Sequence, residues 1–317
     1  MQVDIYLDDF NIEDFSVDKF SINPILFTNN SKEHLKEKHL SFSYQVIQAI
    51  KSQTPLVHVK NTNKKSYKVA TPYCGKVQSD TPKDLLYKMA ALIGIIGTYP
   101  VLYKDENESI IRVVAPRKDS CNESSSQSPF TDLDWHVDAA YRPMFKSSRL
   151  SPMPDYLVFG VVHQGQEQLP ITYVALKDVI KELKNDDLSI GLSPEFSVLS
   201  ADSFKNRTVS KNVPLLAKDN NGSFYNRITL QNTIPQTERA KYFLQKIRSI
   251  LDQPYMQNAV TVEVGDVVIL NNKTTLHKRD SYAPKWNGKD RYFIRIYSVK
   301  DLNQGILNDT DKPWEWQ

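Results

Sequence analysis

Two spacings of apolar residues organise this chain. In the first hundred residues they recur at helical intervals, loosely over 31–38 and 41–51 and densely over 82–96. The third segment is the best marked. Thr81 can cap it, Pro82 suits its first helical position, Asp84 favours its positive end and Gly97 can stop it. Beyond it the pattern changes to short runs rich in Val, Ile, Tyr and Phe, separated by Gly, Pro, Asn or Asp. These are IIRVVA (110–115), YLVFGVVH (156–163), ITYVAL (171–176), FYNRITL (224–230), AVTVEV (259–264), DVVILN (266–271) and RYFIRIYSV (291–299). One late helix is expected at 237–252, where Ala240, Phe243, Leu244, Ile247, Ile250 and Leu251 keep a helical stripe. Many strands with few helices between them argue against a parallel doubly wound sheet. They predict a mainly β, α+β fold, an antiparallel sandwich or jelly roll supported by helices.

At 317 residues the chain fits one large β-rich domain, or two of about 150 residues. A hydrophobic fraction of 40% with 24% charged residues excludes long disorder, collagen and coiled coil. Forty Lys and Arg against 37 Asp and Glu leave a net charge of +3, with no dense basic block. Neither nucleic acid nor an anionic membrane is indicated as partner. The two cysteines, Cys74 and Cys121, are too few for a disulfide scaffold. The acidic start MQVDIYLDDF is unlike a signal peptide, and LLYKMAALIGIIGTYPVLY is interrupted by Lys88, two glycines and Pro100. The expectation is a cytoplasmic protein.

Chemistry concentrates in two segments. In DLDWHVDAAYRP, Asp138 follows His136 by two, so an extended strand would turn both toward one face and one metal ion. His277 lies 141 residues further on, after an apolar strand, placed to return to the sheet as a third ligand. Two histidines and a carboxylate on one side of a metal leave the opposite positions open, which suits iron(II) taking a chelating co-substrate and dioxygen. Arg291 and Arg295 are four apart on an apolar strand and would share a face. Facing inward, each would need an anion, and a guanidinium fork fits a carboxylate. Arg112 in IIRVVA could reach the same pocket, though an exposed strand arginine is the simpler reading. Trp135 is expected to pack behind the metal, His163 has no assigned role, and the serine-rich stretch 119–128 could form a loop or lid.

IIRVVAP, LDWHVDAAYRP, PDYLVFGVVH and GDVVILNNKTTLHKRDSYAPKWNGKDRYFIRIY together resemble the clavaminate synthase-like iron(II)/2-oxoglutarate dioxygenases, over about residues 95–299. That group includes asparagine and arginine β-hydroxylases and is related to taurine dioxygenase. The resemblance implies a single domain over 1–317, with a helical part over about 1–100 and a double-stranded β-helix (jelly-roll) core over about 101–300. It implies His136, Asp138 and His277 as iron ligands, Arg291 as holder of the far carboxylate of 2-oxoglutarate and Arg295 as partner of a substrate carboxylate. Thr172 matches a threonine that contacts the keto acid. Asn226 stands near where some relatives place an acidic residue that reads a basic substrate, which turns the expectation toward a polar neutral or acidic side chain. The implied reaction uses Fe(II), 2-oxoglutarate and O2 to hydroxylate the β or γ carbon of an amino acid, free or carrier-tethered, with release of succinate and CO2. Desaturation or ring closure on the same scaffold, a cupin-like or hydrolytic metal site, and a β-sandwich binding module with a vestigial metal site are the alternatives.

Overall fold

The structure, a computed structural model, describes residues 2–7, 17–63, 65–106, 108–120, 125–142, 152–201, 207–219 and 221–317. The chain opens with strand β1 (Val3–Leu7), helices α1 (Val17–Ile22), α2 (Pro24–Lys38) and α3 (Leu40–Lys51), strand β2 (Leu56–Asn61) and helix α4 (Lys83–Ile95). Seven strands follow with two short helices among them. They are β3 (Tyr99–Tyr103), β4 (Arg112–Val114), β5 (Leu133–His136), β6 (Tyr156–His163), β7 (Ile171–Ala175), α5 (Leu176–Lys181), α6 (Asn185–Gly191), β8 (Phe196–Leu199) and β9 (Val209–Val213). The remainder comprises β10 (Leu216–Lys218), β11 (Phe224–Asn226), β12 (Thr233–Pro235), α7 (Glu238–Leu251), β13 (Asn258–Val260) and β14 (Val267–Asn271). It closes with β15 (Thr275–Arg279), β16 (Tyr292–Val299) and β17 (Glu315–Trp316).

The mainly β, mixed architecture read from the pattern is the one observed. A major sheet runs β1-β2-β14-β6-β16-β3-β17, with β4 also on β16, and a minor sheet runs β13-β7-β15-β5. Pairing is antiparallel except for β1 with β2 and β17 with β3. Strand periodicity divides the major sheet into two faces. Val158, Val267, Ile269, Tyr292, Ile294 and Ile296 pack with α2, α3 and α4. Their neighbours Leu157, Phe159, Val268, Leu270, Phe293 and Tyr297 face the minor sheet with Ile171 and Tyr173. Beyond the minor sheet a third cluster joins Val174 and Leu276 to Phe243 and Ile247 of α7. Arg295 shares the inner face of β16 with Phe293 and Tyr297, so the fold brings a guanidinium between the two sheets.

Helix α4 starts one residue later than expected. Pro82 is its cap and Thr81 caps nothing, because the Thr81 hydroxyl donates to the Gln78 carbonyl. Helix α7 is capped by Thr237, whose hydroxyl accepts from the Ala240 amide. Two runs are shorter than expected: in FYNRITL the strand is only Phe224–Asn226, with Thr229 bridging separately to His136, and AVTVEV contributes only Ala259 and Val260 to the strand Asn258–Val260. Helices α5 and α6 carry too few residues to show a period and were not expected. No helix among the described residues is long and apolar enough to cross a membrane.

Candidate active site

The minor sheet assembles the metal-ligating candidates. His136 ends β5 and His277 sits mid-β15, and the two are direct partners in the antiparallel register, with ring centroids 4.1 Å apart. Asp138 follows on the turn. Their donor atoms lie within 4.8 Å of one another, and all three residues are buried. The Nε2 atoms of His136 and His277 are 3.2 and 3.7 Å from the same oxygen, Asp138 Oδ1. His136 Nδ1 sits 2.8 Å from the Asp134 carbonyl, and donating to it leaves the Nε2 lone pair facing the cluster. A fully buried amide fixes the spacing: Asn272 Oδ1 accepts from the Asp138 amide, while its Nδ2 donates to the Asp138 and Pro154 carbonyls.

Electrostatics keeps Asp138 and His277 in ligand form. Burial would raise the Asp138 carboxyl, but the Arg295 guanidinium beside it, helped by His136, holds it well below the usual carboxylate range. Burial, then the neighbouring His136, pushes His277 down to about 3, so its imidazole is neutral. The second oxygen, Asp138 Oδ2, is 2.5 Å from Arg295 Nη1 and 3.2 Å from the Tyr297 hydroxyl. One carboxylate oxygen thus faces the histidines and the other is anchored. Two imidazole nitrogens and one carboxylate oxygen form a donor set that fits iron(II).

Two cavities meet at this cluster and share His136, Asp138 and Arg295 as walls. One is lined by His277, Arg279 and Arg291 with Val114, Phe159 and Phe293. Arg291 is 8% exposed, lies over the Phe293 ring at 3.9 Å, and has no carboxylate within 4.0 Å among the described residues. Its Nε is buried without a partner, and burial lowers its pKa to about 10, which still leaves it charged near neutrality. Arg279, two residues after His277 and on its face, also lines this cavity and donates through Nη2 to the Ser128 and Thr131 carbonyls. The other cavity is lined by Arg112, Glu106, Tyr141 and Tyr297 as well as Arg295. Arg112 pairs directly opposite Arg295 across β4 and β16, so both guanidiniums project to the same side. The structure therefore turns Arg112 inward, against the simpler reading of an exposed strand arginine. Glu106 Oε1 accepts from the Tyr141 hydroxyl at 2.7 Å.

Two expected residues lie elsewhere. Thr172 pairs with Lys278 while its neighbour Tyr173 pairs with His277, so Thr172 occupies the opposite face of the minor sheet from His277. Ile171, not Thr172, reaches the Arg291 cavity. A slip of one residue in aligning a strand exchanges its faces. Thr172→Val should leave the apparent KM for 2-oxoglutarate within about twofold. A threonine bonding the keto acid would instead cost about 1.5–3 kcal/mol, and steady-state titration separates the two. Asn226 is fully buried away from both cavities, its Nδ2 donating to the Lys273 carbonyl and its Oδ1 accepting from the Ile228 amide. Its amide is committed to the backbone, so no substrate preference follows from it.

Trp135 packs in the cluster behind the minor sheet, under the Lys278 ammonium at 5.1 Å. His163 Nε2 meets the Val69 carbonyl. Residues 121–124 of the serine-rich stretch lie outside the described residues, and Ser126 beyond them borders both cavities. Glu106, Tyr297 and Arg279 were not expected. Arg279 was legible from the period-two spacing to His277, whereas nothing local marks Glu106. Gly165, at φ +77°, comes so close to the start of β16 that an added Cβ would stand 2.8 Å from the Arg291 amide nitrogen. Gly165→Ala should strain the backbone by about 1–2 kcal/mol, displace the start of β16 with Arg291 and lower the melting temperature. Unchanged melting would contradict this.

No family model matches the chain. Among curated proteins, L-asparagine oxygenase of Streptomyces coelicolor is 32% identical over 80 residues, 25% of this chain and 23% of that protein. Clavaminate synthase 2 of Streptomyces clavuligerus is 46% identical over 39 residues, 12% of each. The aligned stretches span less than a quarter of either relative. Among solved structures, asparagine oxygenase in complex with Fe(II), 3-hydroxyasparagine and succinate superposes with a TM-score of 0.79 at 15% identity, over 99% of this chain and 98% of that one. A variant of the non-haem iron oxygenase OrfP in complex with (3S)-hydroxy-L-arginine gives 0.74 at 18% identity, over 93% and 91%. OrfP with Fe and alpha-ketoglutaric acid gives 0.71 at 16% identity, over 90% and 88%. The chain has the fold of asparagine oxygenase and OrfP, and these matches bear out the resemblance to the clavaminate synthase-like oxygenases that its motifs carry.

Proposed function

We propose that this protein is a single-domain, cytoplasmic iron(II)/2-oxoglutarate-dependent oxygenase that hydroxylates the β or γ carbon of an amino acid or a derivative of one. The major and minor sheets would be the two halves of a jelly roll. The observation that carries the reading is the meeting of two cavities at one His-Asp-His cluster, one lined by an unpaired buried arginine and the other by a mixed set of charges. His136, Asp138 and His277 would hold the metal. Arg291 would take the distal carboxylate of the keto acid, which offsets the cost of its burial. When bound, iron(II) would activate dioxygen, the oxidant, with 2-oxoglutarate giving two electrons and leaving as succinate and CO2 and the substrate giving the other two. The chain's own contribution is aim and shielding. The His136 bond to Asp134 fixes the tautomer, Arg295 and Tyr297 orient Asp138, and Phe159, Phe293 and Val114 exclude water from the keto-acid side. On the other side, Glu106 faces where a substrate ammonium would lie. Related proteins support the substrate class, since the asparagine oxygenase and OrfP structures hold hydroxylated amino acids. The exposed free thiol of Cys74 suits a reducing compartment.

Apo protein given iron(II) and 2-oxoglutarate without air should develop a weak visible charge-transfer band. On admission of air, succinate release should depend on one member of a panel of free and carrier-bound amino acids. Absence of the band would remove the reading.

A further inference from the structure

The cavity that holds Arg291 contains a second arginine whose hydrogen-bonding capacity is mostly unused. Arg279 is 8% exposed and lines the same wall set as Arg291. Among the described residues, one of its nitrogens makes all of its bonds: Nη2 donates to the carbonyls of Ser128 at 2.6 Å, Thr131 at 3.0 Å and Ser125 at 3.5 Å. Nε and Nη1 are buried with no partner. The carboxylates that act on Arg279 at longer range, Asp132 and Asp280, are both exposed, where water screens them. The one carboxylate lining the cavity among the described residues is Asp138, already paired with Arg295 at 2.5 Å.

The chain brings these two guanidiniums from different sheets. Arg279 shares a face of β15 with His277 in the minor sheet, and Arg291 stands just before β16 of the major sheet. Burial lowers the Arg291 pKa, and the positive charge of Arg279 adds to the fall, so the two cations feel one another. An anion shared by both would offset the repulsion and the burial together. A carboxylate offers about four lone-pair sites, and one guanidinium fork fills two of them. Thr172, expected to supply the remaining contact, lies on the opposite face of the minor sheet. Arg279 Nη1 has two N–H groups to give in its place.

We infer that Arg279 is a second residue binding the co-substrate, closing with Arg291 on the far carboxylate of the keto acid, one guanidinium from each sheet. This rests on the oxygenase reading for the identity of the cavity as a keto-acid site.

Calorimetric titration of the iron(II)-loaded protein without oxygen tests the inference, with 2-oxoglutarate and with 2-oxopentanoate, which has a methyl in place of the far carboxylate. Arg279→Gln should weaken 2-oxoglutarate by at least about tenfold and leave 2-oxopentanoate within about twofold. Equal weakening of both would overturn the inference, since Arg279 would then serve only the loop whose carbonyls it holds. Unchanged binding of both would overturn it as well. Arg291→Leu gives a second reading that does not depend on the folding of the Arg279 variant. With Arg279 in place it should still bind 2-oxoglutarate at least about threefold more tightly than 2-oxopentanoate, and equal affinities would overturn the inference. Heat from neither keto acid with the parent protein would also overturn it. The visible band is read on the same samples. Its absence would count against the oxygenase reading, while the preference for the dicarboxylate would still decide the role of Arg279.

Discussion

His277→Ala is expected to abolish substrate-dependent succinate formation and to release iron(II) on gel filtration, with the melting temperature of the metal-free protein changed by only a few degrees. Two imidazoles and one carboxylate oxygen hold the proposed metal, so losing one removes a third of its protein ligands and opens a wrong coordination position. His277 Nδ1 is buried without a hydrogen-bond partner, so removing the ring breaks no side-chain bond from that atom. Asp138→Ala should be equally inactive but less stable. It strips Arg295 of its 2.5 Å partner and leaves a buried guanidinium uncompensated, which costs about 3–5 kcal/mol when one half of a buried pair is removed. Retained iron and turnover in His277→Ala would transfer the third ligand to another residue.

Arg291→Leu should raise the requirement for 2-oxoglutarate by roughly thirtyfold to a few thousandfold, the equivalent of about 2–5 kcal/mol for one lost partner of a buried charge pair. Without 2-oxoglutarate the same variant should melt no lower than the parent. The guanidinium has no carboxylate among the described residues, and its replacement by an apolar side chain relieves the burial of an unpaired charge. Opposite signs of effect with and without keto acid separate a ligand-binding arginine from a structural one. A variant that melts lower and binds 2-oxoglutarate as before would assign Arg291 to the fold.

The elements read correctly from the sequence are those whose neighbours are built from the same short-range pattern. Strand β6 spans the expected Tyr156–His163 because its side chains are apolar on both faces, between helices on one side and the minor sheet on the other. The cluster of His136, Asp138 and His277 was legible because period-two spacing joins the first two and a family motif supplies the third. Thr172 and Asn226 failed for different reasons. Thr172 is on the expected strand, but its face depends on a register that no local signal fixes. Asn226 sits where the chain leaves its ladder, and its amide is taken by Lys273, 47 residues away. Glu106 was invisible because its loop is placed by Tyr141, Arg142 and Tyr297, which arrive from two other parts of the chain.

Asn272 joins the Asp138 turn to the segment leading into His277, across 134 residues of sequence. Contacts of such separation form late, because a long loop must close before they return any energy. During synthesis the chain would display His136 and Asp138 long before β14, β15 and Asn272 emerge, with no third ligand and nothing to hold the pair in place. Capture of the proposed metal would therefore belong to the finished chain and not to a folding intermediate. A truncation ending before Asn272 should leave a polypeptide that neither closes the minor sheet nor retains iron, and the loaded metal should in turn protect the native state by mass action.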